Sequence, residues 1–127
     1  MKVIYPAGST LDQVNDTDCI LVPTDKGMQV IRMHSIIRVQ SLSNYSKLFF
    51  QNGKTLVVAK VLRWFEERLT PHRFVRIHRT HLVNCSYLSG YHCANTIEIE
   101  LVNGERFTVS RRKKRAFLQV AKAHFSC

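Results

Sequence analysis

The chain has 127 residues, 45% of them hydrophobic and 22% charged, which predicts one soluble globular domain with a single core. Its net charge is +10, a surplus that argues for a polyanionic partner, with nucleic acid ahead of an anionic membrane. Apolar runs reach only about four residues against the ~20 of a spanning helix, and Pro6 and Gly8 break any signal-like start, so the expectation is a cytoplasmic protein without a membrane partner.

The charge is unevenly placed. Residues 1–33 carry three basic and four acidic side chains, whereas residues 34–127 carry sixteen basic and five acidic. The four cysteines, Cys19, Cys85, Cys93 and Cys127, form no CxxC pair and are expected as reduced thiols.

Residues 1–17 are weakly patterned and read as a tail or an added strand, which divides the chain into residues 1–18 and a domain over 19–127. CILVP (19–23), TDKG (24–27) and MQVIR (28–32) fit a hairpin. HSIIRVQS (34–41) reads as a strand with Ile37 and Val39 inward and Arg38 and Gln40 outward. LFFQNGKTLVV (48–58) sets Asn52-Gly53 between two β-rich runs, the signal of a two-residue hairpin turn. VLRWFEERL (61–69) predicts a helix with Val61, Leu62, Phe65 and Leu69 on one face, ended by Thr70-Pro71. IEIELVNGERFTVS (97–110) repeats the Asn-Gly signal; Ile97, Ile99, Leu101, Phe107 and Val109 face one way, and Glu98, Glu100, Arg106 and Thr108 the other. A last helix is expected from Ser110, as N-cap, to about His124, with Phe117, Val120, Ala121 and His124 on its apolar face. The predicted class is mainly β: small antiparallel sheets with one central and one C-terminal helix.

SRRKKR (110–115) places five cations at a helix start, where the helix dipole prefers acids. Free N–H groups there, together with Arg and Lys side chains, suit phosphate oxygens. The bland alternative is a solvated basic tail, but Phe117, Val120 and Ala121 follow at helical spacing and predict that the segment is docked.

FVRIHRTHLVN (74–84) interleaves Phe74, Val75, Ile77, Leu82 and Val83, which want a core, with Arg76, His78, Arg79 and His81. A zinc site is disfavoured: ligand pairs such as CxxC are missing, Arg79 would repel a dication, and His78 and His81 on one extended strand would face opposite ways. Enzyme chemistry is disfavoured too, because neither a carboxylate cluster for Mg²⁺ nor a GxSxG, P-loop or GxGxxG motif is present. No cofactor is expected. Single-stranded RNA binding would want exposed aromatics, and the aromatics here fall mostly at core positions.

FVRIHRTHLVN followed by NGERFTVSRRKKR resembles the LytTR family of bacterial DNA-binding domains. IIRVQSLSNYSKLFF (36–50) resembles the family's strand–loop–strand with an Asn-Tyr-like tip, and VLRWFEERL its central helix; the likeness covers about residues 19–122. It implies an elongated arrangement of small antiparallel sheets, and a transcription regulator that puts loops and strand ends, not a recognition helix, into the major groove of double-stranded DNA. Carried over position by position, the family's DNA contacts fall on the tip Asn44-Tyr45, on Arg79 and on Arg111, with Lys114 and Arg115 as backbone-contacting cations; Lys47, His81 and Arg112 are further candidate DNA-binding residues, with local packing as the alternative for His81. Arg79 is the expected base reader, with His78 holding the turn. The family habit of paired direct repeats implies two protomers on DNA.

Most such domains follow a phosphorylatable receiver domain. About 18 residues precede the likeness here, too few for a receiver, which gives the expectation of a stand-alone regulator governed by a partner protein, or of a domain separated from a longer chain. The rival function is a protein–protein module whose basic surface captures an acidic partner, such as a receiver. A DNA reader needs the Asn44-Tyr45 tip, Arg79 and the basic helix start on one face.

Overall fold

A computed structural model describes residues 18–125, and the side chains of residues 18–123. The reading of residues 1–17 and the place of His124 on an apolar helix face lie outside what is described. The strands are β1 (Cys19–Thr24), β2 (Gly27–Arg32), β3 (Ile36–Leu42), β4 (Tyr45–Phe50), β5 (Thr55–Val58), β6 (Phe74–His78), β7 (His81–Asn84), β8 (Leu88–Cys93), β9 (Ile97–Leu101) and β10 (Arg106–Val109). The helices are α1 (Leu62–Leu69) and α2 (Lys114–Phe125).

The strands pair entirely antiparallel into three sheets: β1-β2, β5-β4-β3-β7-β6 and β10-β9-β8. The five-stranded sheet is the middle layer and separates two apolar clusters. On one side Val39, Leu48, Phe74 and Leu82 pack with Ile20 and Ile31 of the first hairpin and with Leu62, Phe65 and Leu69 of α1. On the other, Ile37, Val75, Ile77 and Val83 pack with Ile97, Ile99 and Leu101 of β9 and with Phe117 and Ala121 of α2. The first layer explains why VLRWFEERL stays helical: three residues on one face bury themselves and so stabilise a segment too short to hold alone. Val61 does not join them. It precedes the helix as its cap and is 47% exposed, correcting its predicted place on the buried face.

Both Asn-Gly hairpins form, but with three-residue loops. Phe50 and Lys54 close the loop 51–53, and Leu101 and Glu105 close the loop 102–104. Only the glycines take positive φ, +86° at Gly53 and +91° at Gly104, as in a turn followed by a glycine bulge. Asn52 and Asn103 contribute through their side chains, whose Oδ1 atoms accept from Lys54 N–H and Glu105 N–H at 2.9 and 3.0 Å.

Two bulges decide which faces the middle sheet presents. In β3 the register shifts between Ile36 and Arg38, so Ile36 and Val39 face the α1 side while Ile37 faces the α2 side. The predicted simple alternation therefore fails: Ile37 and Val39 serve different cores, and Arg38 is buried rather than outward. In β6 the shift lies between Arg76 and His78 and makes His78 the cross-strand partner of His81.

Ser110 stands before the last helical segment but makes no side-chain cap bond. Arg111–Lys113 form a 3₁₀ turn before α2 begins at Lys114. Cys19, Cys85 and Cys93 are free thiols. Among the described residues no helix is long and apolar enough to cross a membrane.

Candidate nucleic-acid interface

The register of the middle sheet brings three turns to one end. β3 and β4 are joined by Ser43-Asn44, where Ser43 takes the positive φ of 59° that the tight turn needs. β6 and β7 are joined by Arg79-Thr80. The two turns are neighbours because β3 pairs with β7, and Ser41 N–H donates to Thr80 C=O at 2.9 Å. On the far side of β4, Ser46 Oγ–H donates to Lys60 C=O at 2.7 Å and fixes the β5–α1 connection at the same end. Lys60 was not singled out from the sequence, although the β4–β5 hairpin register would have found it.

The bulge in β6 docks the basic segment. Its extra residue, Ile77, lies on the outer strand of the sheet, and its carbonyl accepts from Ser110 N–H at 2.7 Å. Arg76, His78 and Arg79 on one side, and Ser110, Arg111, Arg112 and Lys113 on the other, line one cleft. Arg79 and Arg111, 32 positions apart in sequence, thus share a concave basic surface. Lys114 and Arg115 are exposed in the first turn of α2 and do not line that cleft.

Beneath the turns runs a row of polar side chains. Lys47 pairs with Gln40, Gln40 with His81, and His81 with His78. The two histidines lie on the same face, with ring centroids 6.3 Å apart. This overturns the expectation of opposite faces, for two reasons: they belong to two strands, and the bulge flips His78. Thr80 sits between them. Its N–H donates to His78 Nδ1 at 3.2 Å, and its hydroxyl oxygen lies within hydrogen-bond distance of both rings, 2.8 Å from His78 Nδ1 and 2.9 Å from His81 Nδ1. His78 thus braces the turn.

His81 is half-buried, and its ring lies on Phe107 at 4.8 Å between centroids. Burial, then the charges of Arg38 and His78, hold its pKa below 6.5, against a smaller opposing pull from Glu105. Tyr45 opens β4 and is 50% exposed beside the exposed Asn44. Lys47 is half-buried with Nζ 5.2 Å from the centre of the Phe49 ring. Arg79, Arg111 and Arg112 are exposed. Among the described residues no three His, Cys, Asp or Glu side chains gather as a metal site would require.

The chain resembles known proteins over most of its length. It aligns with a sensory transduction protein, LytR, of Staphylococcus haemolyticus (strain JCSC1435) at 27% identity over 108 residues, 83% of this chain and 42% of the relative. The chain therefore spans less than half the length of that relative. A solved LytTr DNA-binding domain from Bacillus cereus superposes with a TM-score of 0.68 at 20% identity, covering 81% of this chain and 95% of that one, which shows a shared fold. The family model of the LytTr DNA-binding domain matches residues 26–122, from the first hairpin through most of α2. This chain belongs to the LytTR family of DNA-binding domains.

Proposed function

We propose that this protein is a sequence-specific regulator of transcription that enters the major groove of duplex DNA with the turn-bearing end of its middle sheet. The observation that carries the reading is the cleft shared by Arg79 and Arg111, whose β6–β7 turn is joined to the end of β3 by the bond from Ser41 N–H to Thr80 C=O. A guanidinium on a short, braced turn can meet a guanine edge with two hydrogen bonds. Arg79 and Arg111 act as base readers, with Asn44, Tyr45 and His81 beside them. Lys47, Arg112, Lys114 and Arg115 meet phosphates and set the protein's register on the duplex. Two protomers occupy one spaced direct repeat. No catalytic step is part of this role.

A selection from a random duplex library at near-physiological salt tests the reading. Enrichment of a short motif, as a spaced repeat, is expected. With about six phosphates neutralised, the log–log salt slope should be near −5. DNA retained without any enriched motif, or a slope shallower than about −2, would leave electrostatics alone. The basic cleft would then fit an acidic protein surface better than a groove.

A further inference from the structure

Arg76 is the one cation of FVRIHRTHLVN to which the DNA reading assigns no contact, and its guanidinium is the most heavily engaged of that stretch. It lies before the bulge in β6, on the α1 side, with its side chain 19% exposed. Nη1–H donates to Glu66 Oε1 of α1 at 2.8 Å. Nε–H donates to His78 C=O at 3.2 Å and Nη2–H to Arg79 C=O at 2.5 Å. Those two carbonyls belong to the peptide units on either side of the Arg79 Cα. Holding both planes restrains φ and ψ of Arg79, and with them the direction of its Cα–Cβ bond. Behind the guanidinium, Glu66 sits on a helix whose neighbouring residue Phe65 is fully buried. The chain of contacts thus runs from the core, through α1, to the tip of the β6–β7 turn.

We infer that Glu66 and Arg76 form a clamp that orients Arg79, so that Arg76 is a positioning residue for base recognition and does not itself touch DNA. This rests on the DNA reading above for its functional half, while the clamp has a readout of its own. Lysine cannot replace arginine here. Its single nitrogen does not span three acceptors on different elements, whereas the flat fork of a guanidinium does.

The intact chain is compared with Arg76→Lys, Glu66→Ala, Arg79→Ala and the double variant Arg76→Lys/Arg79→Ala. In the free protein, ¹⁵N relaxation should show order parameters at Arg79 and Thr80 falling from about 0.85 towards 0.6 in Arg76→Lys and Glu66→Ala, with the strands unchanged. Unaltered order parameters would overturn the clamp whatever the protein binds. On the enriched duplex, Arg76→Lys should weaken binding on the order of tenfold and leave non-specific duplex binding and the salt slope unchanged. In the Arg79→Ala background the same substitution should cost nothing more, because it acts only through that residue. A salt slope reduced by about one would make Arg76 a phosphate contact and overturn the inference, as would an equal loss in both backgrounds. Loosened order parameters in a protein that enriches no motif would leave the clamp standing and sink the DNA reading.

Discussion

Arg38 of β3 and Glu105, just before β10, meet in a two-pronged pair across 67 positions of sequence: Nε–H to Oε1 at 3.0 Å and Nη2–H to Oε2 at 2.9 Å. The pair ties the middle sheet to the three-stranded sheet, directly behind His81 and the row of polar side chains. Its surroundings are built for it. Arg38 Nη1–H donates to Gln40 Oε1, and its guanidinium lies 3.6 Å from the centre of the Phe49 ring. Asn103 Nδ2–H donates to the same Glu105 oxygen that accepts from Arg38 Nε. The bond from Arg38 is the largest influence on Glu105 and holds its carboxyl below the usual carboxylate range, against a smaller opposing effect of burial.

Removing one partner should cost more than removing both. Arg38 has a side chain only 7% exposed, and Glu105→Ala would leave its charge almost wholly enclosed. A loss of about 3 kcal/mol is expected, the low end for breaking a buried pair because Glu105 itself reaches solvent. Arg38→Met/Glu105→Ala should recover most of it. Urea unfolding of both variants checks this, and a double variant no more stable than Glu105→Ala would refute it.

Base readers and phosphate contacts should separate in binding assays. Arg79→Ala and Arg111→Ala should each cost about 1–3 kcal/mol on the selected site and relax preference at particular base pairs. Lys114→Ala should weaken all duplexes alike and lower the salt slope by about one. An Arg79→Ala protein with an unchanged base preference would remove Arg79 from the readers.

Stability should fall on acidification in two stages. His81 has a folded-state pKa below 6.5, so the unfolded chain takes up its proton first, and the stability it contributes is lost as pH drops through and below about 6.5. Glu105 is likewise depressed, and its contribution is present above 4.5 and lost as pH falls through that value and below. His81→Gln should flatten the upper stage and spare the lower. Thermal melts from pH 7.5 down to about pH 3 test this; a His81→Gln curve parallel to the parent above pH 5 would contradict it.

Thiol reactivity should follow burial. Cys85 lies in the α2-side core, and burial pushes its thiol pKa up to about 11. Cys93, at the end of β8, is exposed. Alkylation of the native protein at pH 8 followed by peptide mapping should label Cys93 and spare Cys85 until denaturant is added. Labelling of Cys85 at a rate near that of Cys93 would mean that this core opens readily.

Much of this protein was legible in the sequence because it is local. Alternation in IEIEL and RFTV, the two Asn-Gly signals and the spacing of Leu62, Phe65 and Leu69 depend on neighbours a few residues away, and they yielded the mainly antiparallel β class and both helices. The resemblance drew Asn44, Arg79 and Arg111 together in name. Long-range pairing decided the rest. Period-two reading assumes an unbroken strand, and a single bulge residue reverses every face beyond it. That is why Arg38 turned inward to a Glu105 that no local pattern could indicate, and why His78 came to share a face with His81. The same bulge offers the Ile77 carbonyl to Ser110, which seats the basic segment beside Arg79. Which cations share a surface follows from hydrogen bonds between strands distant in the chain, and those exist only once the three layers have packed.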